Sequence, residues 1–143
     1  MSIYSLSQRT IVVGAGGATW EIRTAATDLP RVLELGFSQV TAVAATMGIG
    51  RPQAIGVNPT TPVTFLAEDA GDPASTVTAC VAWTTTAPTV PLNFFRRITC
   101  VAAIGAGVIW TFPRGLKIQI SNSIVLWVIA TAPVLDAWAV VDQ

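Results

Sequence analysis

The chain has 143 residues, 52% of them hydrophobic and only 11% charged, and its eight basic residues balance its eight acidic ones. Because a typical soluble domain has roughly 25% charged residues, this composition predicts a subunit whose surface is partly covered by other chains. The zero net charge excludes the broad positive field on which nucleic-acid binding usually depends, and the length is that of a single domain.

A membrane protein is the alternative explanation for so few charges, and the length of the apolar runs tests it. The longest runs, residues 101–110 and 124–133, are well short of the roughly 20 residues that a spanning helix needs. Polar residues also interrupt the first ten positions of the chain. We therefore expect neither a membrane helix nor a secretory leader.

The first third of the chain predicts strands around a glycine turn. Residues 1–17 end in the turn Gly14–Gly17 and are either a first strand or an extended N-terminal arm. Trp20 and Ile22 then alternate with charged neighbours, which is the two-residue period of a half-buried strand. Residues 32–45 are also interpreted as a strand, with a short helix in their alanine-rich half as the alternative.

Glycine and proline dominate the middle of the chain. Three prolines and three glycines between Gly48 and Pro62 predict a long loop, because their backbones are either fixed or too permissive for regular structure. After this loop we expect a short strand over residues 63–66, an exposed turn over 68–75 and a strand over 76–83.

The C-terminal third contains a clear hairpin pattern. Leu116, Ile118 and Ile120 alternate with polar residues, residues 121–123 supply turn-forming side chains, and residues 124–129 are an apolar run. We therefore predict a β-hairpin whose apolar arm is covered by another sheet or another chain. Further strands near residues 94–103, 108–112 and 134–141 bring the count to about eight to ten, which predicts an all-β sandwich or barrel.

Catalytic chemistry is limited by the residue types present. The absence of histidine removes the Ser-His and Cys-His nucleophile systems and the usual zinc and iron ligand sets. Cys80 and Cys100 lie in apolar segments and are interpreted as reduced core thiols. Glu68, Asp69 and Asp72 lack the spacing of a calcium loop. We expect no enzymatic activity, no metal and no cofactor.

Two patterns suggest small-molecule ligands. Residues 13–19 have the glycine content of a dinucleotide-binding turn, but Thr19 occupies the third glycine position and a strand period follows, which disfavours phosphate binding. Five tryptophans in strand-like segments are able to line a sugar cleft, although core packing is their commoner role. A carbohydrate-binding β-sandwich module therefore stays an alternative.

The C-terminal third also carries a resemblance. Residues 110–118 (WTFPRGLKI), residues 123–127 (SIVLW) and a last strand through Trp138 resemble the closing strands of capsid decoration, or cement, proteins of tailed bacteriophages. Residues 48–52 (GIGRP), with the prolines that follow, are similar to the long inter-strand loop of that family. The resemblance implies a jelly-roll-like sandwich, made in the host cytoplasm, that decorates the capsid surface of the virion.

The same resemblance implies what the protein binds. Its partners would be itself, as a homo-oligomer and most often a trimer, and the major capsid proteins that it bridges, with no nucleic acid and no membrane. A phage tail or fibre component is the alternative location. Apolar surface near Val101 and Ile124 also favours self-association.

A clamp of this kind is expected to bind through extended loops or arms. The proline-fixed loop and the N-terminal segment 2–9 are the first candidates, and the run from Phe94 to Arg97 is the next, because aromatic and arginine side chains dominate interface hot spots. An ordinary strand with solvated arginines is the alternative for that run. The candidate partner-binding residues are Arg9, Arg51, Pro52, Asn58, Pro59, Phe94, Phe95, Arg96 and Arg97.

Overall fold

The computed structural model describes residues 2–14, 16–25 and 27–143, and these form thirteen β-strands and no helix. Ala15 of the expected glycine turn and Met1 of the N-terminal segment lie outside the described residues. None of the described residues belongs to a helix long and apolar enough to cross a membrane. The strands are β1 Ile3–Arg9, β2 Gly17–Arg23, β3 Arg31–Gln39, β4 Ala45–Gly50, β5 Val57–Pro59, β6 Val63–Thr64, β7 Leu66–Ala67, β8 Thr78–Cys80, β9 Trp83–Thr86, β10 Arg96–Cys100, β11 Gly107–Lys117, β12 Ser123–Ala130 and β13 Leu135–Asp142.

The strands form two main antiparallel sheets, which confirms the predicted all-β sandwich. One sheet has the order β11-β3-β13-β1-β7 and the other has the order β10-β4-β12-β2-β8-β6. Side chains from both sheets meet in one buried cluster, to which Tyr4, Phe37 and Leu135 contribute from the first sheet and Trp20 and Leu126 from the second. Burial of this apolar surface is the main favourable term in folding.

The chain pairs in a nested order. The first strand pairs with the last, β2 pairs with β12, β3 pairs with β11, and β4 pairs with β10. The strands β1 to β4 therefore alternate between the two sheets, as do β10 to β13, whereas β4 and β10 are neighbours in one sheet. Almost every pairing joins segments that are distant in the sequence. The N-terminal segment is accordingly a strand between β13 and β7 rather than a free arm.

The predicted hairpin over residues 114–129 is wrong. Its first arm belongs to β11, which pairs with β3, whereas its second arm is β12, which pairs with β2 and β4 in the other sheet. The turn between them is real, because the amide of Asn122 donates to the carbonyl of Gln119 at 3.0 Å, but Ser121 takes the left-handed conformation (φ 58°). The apolar arm is thus covered by the chain itself.

Four other predicted segments have different boundaries in the structure. Residues 48–50 complete β4 and residues 57–59 form β5, so the long loop shrinks to residues 51–56. The strands expected at 63–66 and 76–83 each divide into two short strands that belong to different sheets. Residues 40–44 form neither strand nor helix. Glycine and proline content located the irregular region but did not give its limits.

A small third layer covers part of the six-stranded sheet. The strands β5 and β9 pair with each other and lie over the outer face of β2 and β12. Trp83 and Phe94 pack there against the buried side chains of Ala18, Val125 and Trp127. This cover explains why β12 is buried on both faces, with six consecutive buried residues from Ser123 to Val128.

Candidate partner-binding surfaces

Four uncharged loops meet at one end of the sandwich. They are residues 10–14, 40–44, 101–106 and 131–134, and none of them contains Lys, Arg, Asp or Glu. Backbone hydrogen bonds hold them together, since Thr10 donates to Leu135 at 2.8 Å and Val40 donates to Val134 at 2.9 Å. Backbone hydrogen bonds also join Gln39 to Gly105 and Ala106 of the 101–106 loop. We call this surface the apolar end.

The apolar end exposes large hydrophobic side chains. The exposed fraction is 48% for Ile11, 66% for Val12, 71% for Val101 and 74% for Ile104. The expectation of uncovered apolar surface is therefore confirmed at Val101, whereas Ile124 is fully buried in the core. Clustered exposed apolar side chains are typical of a surface that binds another protein or an apolar ligand.

The 101–106 loop owes its tight shape to one glycine. Gly105 has a φ of 84°, a left-handed conformation that other residues adopt only with strain. Its amide donates to the carbonyl of Gln39 at 2.8 Å, and the amide of Gln39 donates to the carbonyl of Ala106 at 2.8 Å. These bonds fix the loop on β3 and leave the side chains of Val101 and Ile104 pointing into solvent.

A second surface combines cations and aromatic rings. The guanidinium of Arg51 lies 5.1 Å from the centre of the Phe95 ring, and that of Arg97 lies 5.6 Å from the Phe94 ring. The guanidinium of Arg96 lies 5.8 Å from Phe112 in the opposite sheet. Such cation–π contacts hold the arginines without neutralising them. The structure thus brings Arg51 together with the predicted run from Phe94 to Arg97.

Three further cations join this surface, and sequence reasoning missed them. The guanidinium of Arg31 donates to the carbonyl of Arg114 at 2.9 Å, and that of Arg51 donates to the carbonyl of Lys117 at 2.7 Å. Arg96 and Arg114 line the same open pocket of about 360 Å³, with Phe112, Pro113 and Leu116 as its apolar wall. We call Arg31, Arg51, Arg96, Arg114 and Lys117 the basic edge.

The other predicted partner-binding residues lie apart from the basic edge. Pro52 is buried. Asn58 and Pro59 form part of the third layer, where the side-chain amide of Asn58 donates to the hydroxyl of Thr85 at 2.9 Å. Arg9 is exposed and donates two hydrogen bonds to Asp136, the shorter at 2.8 Å. That bond lowers the pKa of Asp136 and raises the pKa of Arg9.

A buried carboxylate lies under the third layer. Glu21 has no exposed surface, although its alternation with Trp20 suggested a solvent-facing side chain. Each of its oxygens accepts several hydrogen bonds, so protein donors satisfy the buried carboxyl group. The donors are Ser123 at 2.7 Å, the amide of Gly56 at 3.2 Å, Trp83 at 2.6 Å, Cys80 at 3.8 Å and Arg23.

The chemistry of this network is structural. Cys80 is a free buried thiol, as is Cys100, which confirms the interpretation of both as core thiols. Burial and the neighbouring Glu21 carboxylate raise the pKa of Cys80 to about 12, so the thiol stays protonated. A protonated, enclosed thiol is not a nucleophile. Among the described residues no three His, Cys, Asp or Glu side chains group as a metal site.

The five tryptophans lie in several parts of the fold, and Trp83 and Trp127 share one cluster under the third layer. Trp20 and Trp127 are buried, Trp83 donates to Glu21, and Trp110 packs edge-on against Phe37 at 5.7 Å. Trp138 lies half-buried over Gly36 on the outer face of the five-stranded sheet.

Comparisons with protein families, with curated proteins and with solved structures find no match for this chain. The candidate surfaces are therefore identified only from the geometry of this chain. One is apolar and uncharged, and the other is basic and aromatic. Both are exposed, and both are built from ends of strands that the sandwich holds in place, which is the usual arrangement for a surface that binds another protein.

Proposed function

We propose that the protein is a non-enzymatic structural virion protein that binds the outer surface of a phage capsid and bridges its major capsid proteins. The observation that carries this proposal is the apolar end, where four loops without any charge expose Ile11, Val12, Val101 and Ile104. A contact of this kind suits a partner that stays bound, because a free protein gains nothing from exposing clustered apolar side chains.

The topology supports the same class of protein. Two sheets whose strands alternate along the chain, with nested pairs from β1–β13 inward to β4–β10, have the pairing expected of a jelly roll. Jelly rolls are common among viral capsid proteins. The resemblance of residues 110–118 and 123–127 to the closing strands of capsid decoration proteins favours the same location on the capsid.

The proposed contact differs from the clamp expected from sequence. The N-terminal segment has no freedom to reach a neighbour, because β1 is hydrogen-bonded on both sides. The docking elements in the proposal are instead the short loops of the apolar end, which are ordered before binding and so lose little entropy on docking. Burial of their side chains is favourable by roughly 25 cal/mol per Å² of apolar surface.

Binding to capsids tests the proposal directly. The double variant Val101→Asp/Ile104→Asp places two charges at exposed positions of the apolar end, so it should fold normally but lose co-sedimentation with purified capsids that lack the protein. Leu92→Asp is the matched control, because Leu92 is 83% exposed in a loop away from this end. Decoration by the double variant at the level of the parent would exclude the apolar end as the capsid contact.

A further inference from the structure

The two edges of the sandwich have opposite charges. The basic edge lies where β10 and β11 border their sheets. The opposite border is formed by β6 and β7 and continues into the loop 68–72, which contains three acids. We call Val63, Leu66, Glu68, Asp69 and Asp72 the acidic edge.

The two edges lie at the same level of the five-stranded sheet. The pairing register runs across neighbouring strands from Ile3 to Asp142, from Asp142 to Arg31 and from Arg31 to Lys117. On the other side of Ile3, its carbonyl accepts a hydrogen bond from the amide of Glu68 at 2.9 Å. Four strand spacings separate Glu68 from Lys117, or about 19 Å. Translation of a second copy would therefore bring the two charges face to face.

Neither edge forms an ion pair in the part of the chain that the structure describes, although Arg31 lines a pocket with Asp28 and Asp142. In residues 2–14, 16–25 and 27–143 the ion pairs are Arg9–Asp136 and Arg23–Glu21, so the cations of the basic edge have no carboxylate within 4.0 Å. The sequence has no acid between Asp72 and Asp136 and no basic residue between Arg51 and Arg96. Unpaired charges of one sign on each side favour an oppositely charged partner surface.

The edges also complement each other in shape. The pocket of the basic edge has an apolar wall of Phe112, Pro113 and Leu116. On the acidic edge, Leu66 is 69% exposed and Val63 is 40% exposed. An apolar side chain that enters a pocket ringed by charge pairs is the usual arrangement at the centre of an interface.

Continuous strand pairing between copies is disfavoured. The register of β11 shifts between Thr111 and Leu116, where Pro113 lacks an amide hydrogen, and β7 has only two residues. Because of these features, neither edge offers a regular row of free backbone groups with which a strand of another copy could pair. Contact between copies must therefore rely on side chains.

We propose that the acidic edge of one copy docks head to tail on the basic edge of a second copy, with Leu66 entering the pocket beside Phe112. The contact is heterologous, so the rotation between neighbours decides whether it closes into a ring, such as a trimer, or grows as a filament. The inference deepens the proposed function, because it relies on the expected homo-oligomer and names the surfaces that form it.

Charge reversal tests the contact. The variants Arg96→Glu/Arg114→Glu/Lys117→Glu and Glu68→Lys/Asp69→Lys/Asp72→Lys each give the two edges net charges of the same sign, so each should have the mass of one 15.0 kDa chain in light scattering at micromolar concentration. The chain with all six changes has the net signs of its edges exchanged and should regain the mass of the parent oligomer. High NaCl should dissociate the parent, since exposed charge pairs are screened.

The control exchanges a charge pair elsewhere. Arg9→Asp/Asp136→Arg reverses an exposed ion pair away from both edges and should leave the oligomer intact. A monomeric parent, an oligomer that survives in both edge variants, or a sixfold variant that stays monomeric would overturn the head-to-tail contact. Capsid co-sedimentation of the same variants is a separate readout, so loss of the oligomer with retained capsid binding leaves the proposed function standing.

Discussion

The residue with the largest expected effect on stability is Glu21, because its carboxylate is fully buried and accepts five hydrogen bonds. Glu21→Gln keeps the shape but replaces one acceptor oxygen with an amide and leaves Arg23 without its counter-charge. Removal of one partner of a buried charge pair typically costs 3–5 kcal/mol, so we expect the free energy of unfolding to fall by about 3 kcal/mol in urea titrations.

Glu34→Gln is the control for this prediction. Glu34 is half-buried and accepts one hydrogen bond from Trp138 at 3.2 Å. Its replacement should change the free energy of unfolding by less than about 0.5 kcal/mol. Equal effects of the two substitutions would show that the Glu21 network does not stabilise the fold.

Cys80 gives a chemical test of the same region. Its pKa is raised to about 12, first by burial and then by the Glu21 carboxylate, so almost no thiolate exists at pH 8. We expect no reaction with a thiol-specific reagent in the native protein. Two thiols per chain should react after unfolding in denaturant, and rapid labelling of Cys80 without denaturant would contradict the enclosed network.

At the scale of elements, Gly56 is the residue at which the third layer contacts the sheet below it. A Cβ atom at this position would lie 2.2 Å from the indole ring of Trp83 and 3.0 Å from a carboxylate oxygen of Glu21. Gly56→Ala should therefore lift β9 away from the sheet, lower stability by about 2 kcal/mol and shift the fluorescence of Trp83.

Gly71→Ala is the matched control for the third layer. Gly71 lies in an exposed turn, and its nearest neighbour to a new Cβ atom is a carboxylate oxygen of Asp69 at 3.4 Å. This variant should unfold at the same urea concentration as the parent. A stable Gly56→Ala variant with unchanged fluorescence would mean that β5 and β9 do not pack as described.

The strand β1 is the clearest case in which an element cannot be removed. It lies between β13 and β7 and contributes Tyr4 and Leu6 to the core, so deletion of residues 2–9 would expose a central strand and a row of apolar side chains. We expect the deleted chain to be insoluble or unfolded by circular dichroism. Arg9→Ala, which removes only an exposed ion pair, should fold normally.

The two-residue hydrophobic period predicted most of the strands, but it did not predict which strands pair with each other. Trp20 and Ile22 face the core as expected, and so does Ile118. The hairpin was wrong because a turn between two strands is compatible with pairing or with a crossing between sheets, and only the rest of the chain decides which occurs. The burial of Glu21 could not be predicted from its neighbours in the sequence, because the residues that cover it are Gly56 and Trp83.

At the scale of the whole molecule, the separation of charge from apolar surface was also beyond local patterns. The composition predicted a chain whose surface is partly covered by others, but it did not show that the uncharged loops meet at one end. Nor did it show that Arg31, Arg51 and Arg114 converge on one edge. Both features follow from the nested pairing, which gathers distant loops into common surfaces.

The pairing of β1 with β13 places residues 2 and 143 together at one end of the sandwich. Residues 2 and 143 exchange backbone hydrogen bonds of 2.9 and 3.0 Å at the end of the sandwich opposite the apolar end. A polypeptide fused before residue 2 or after residue 143 would therefore leave the molecule on the side away from the docked partner. We expect a small folded domain attached at either position to leave capsid co-sedimentation unchanged, whereas the same domain inserted between Ala103 and Ile104 should abolish it.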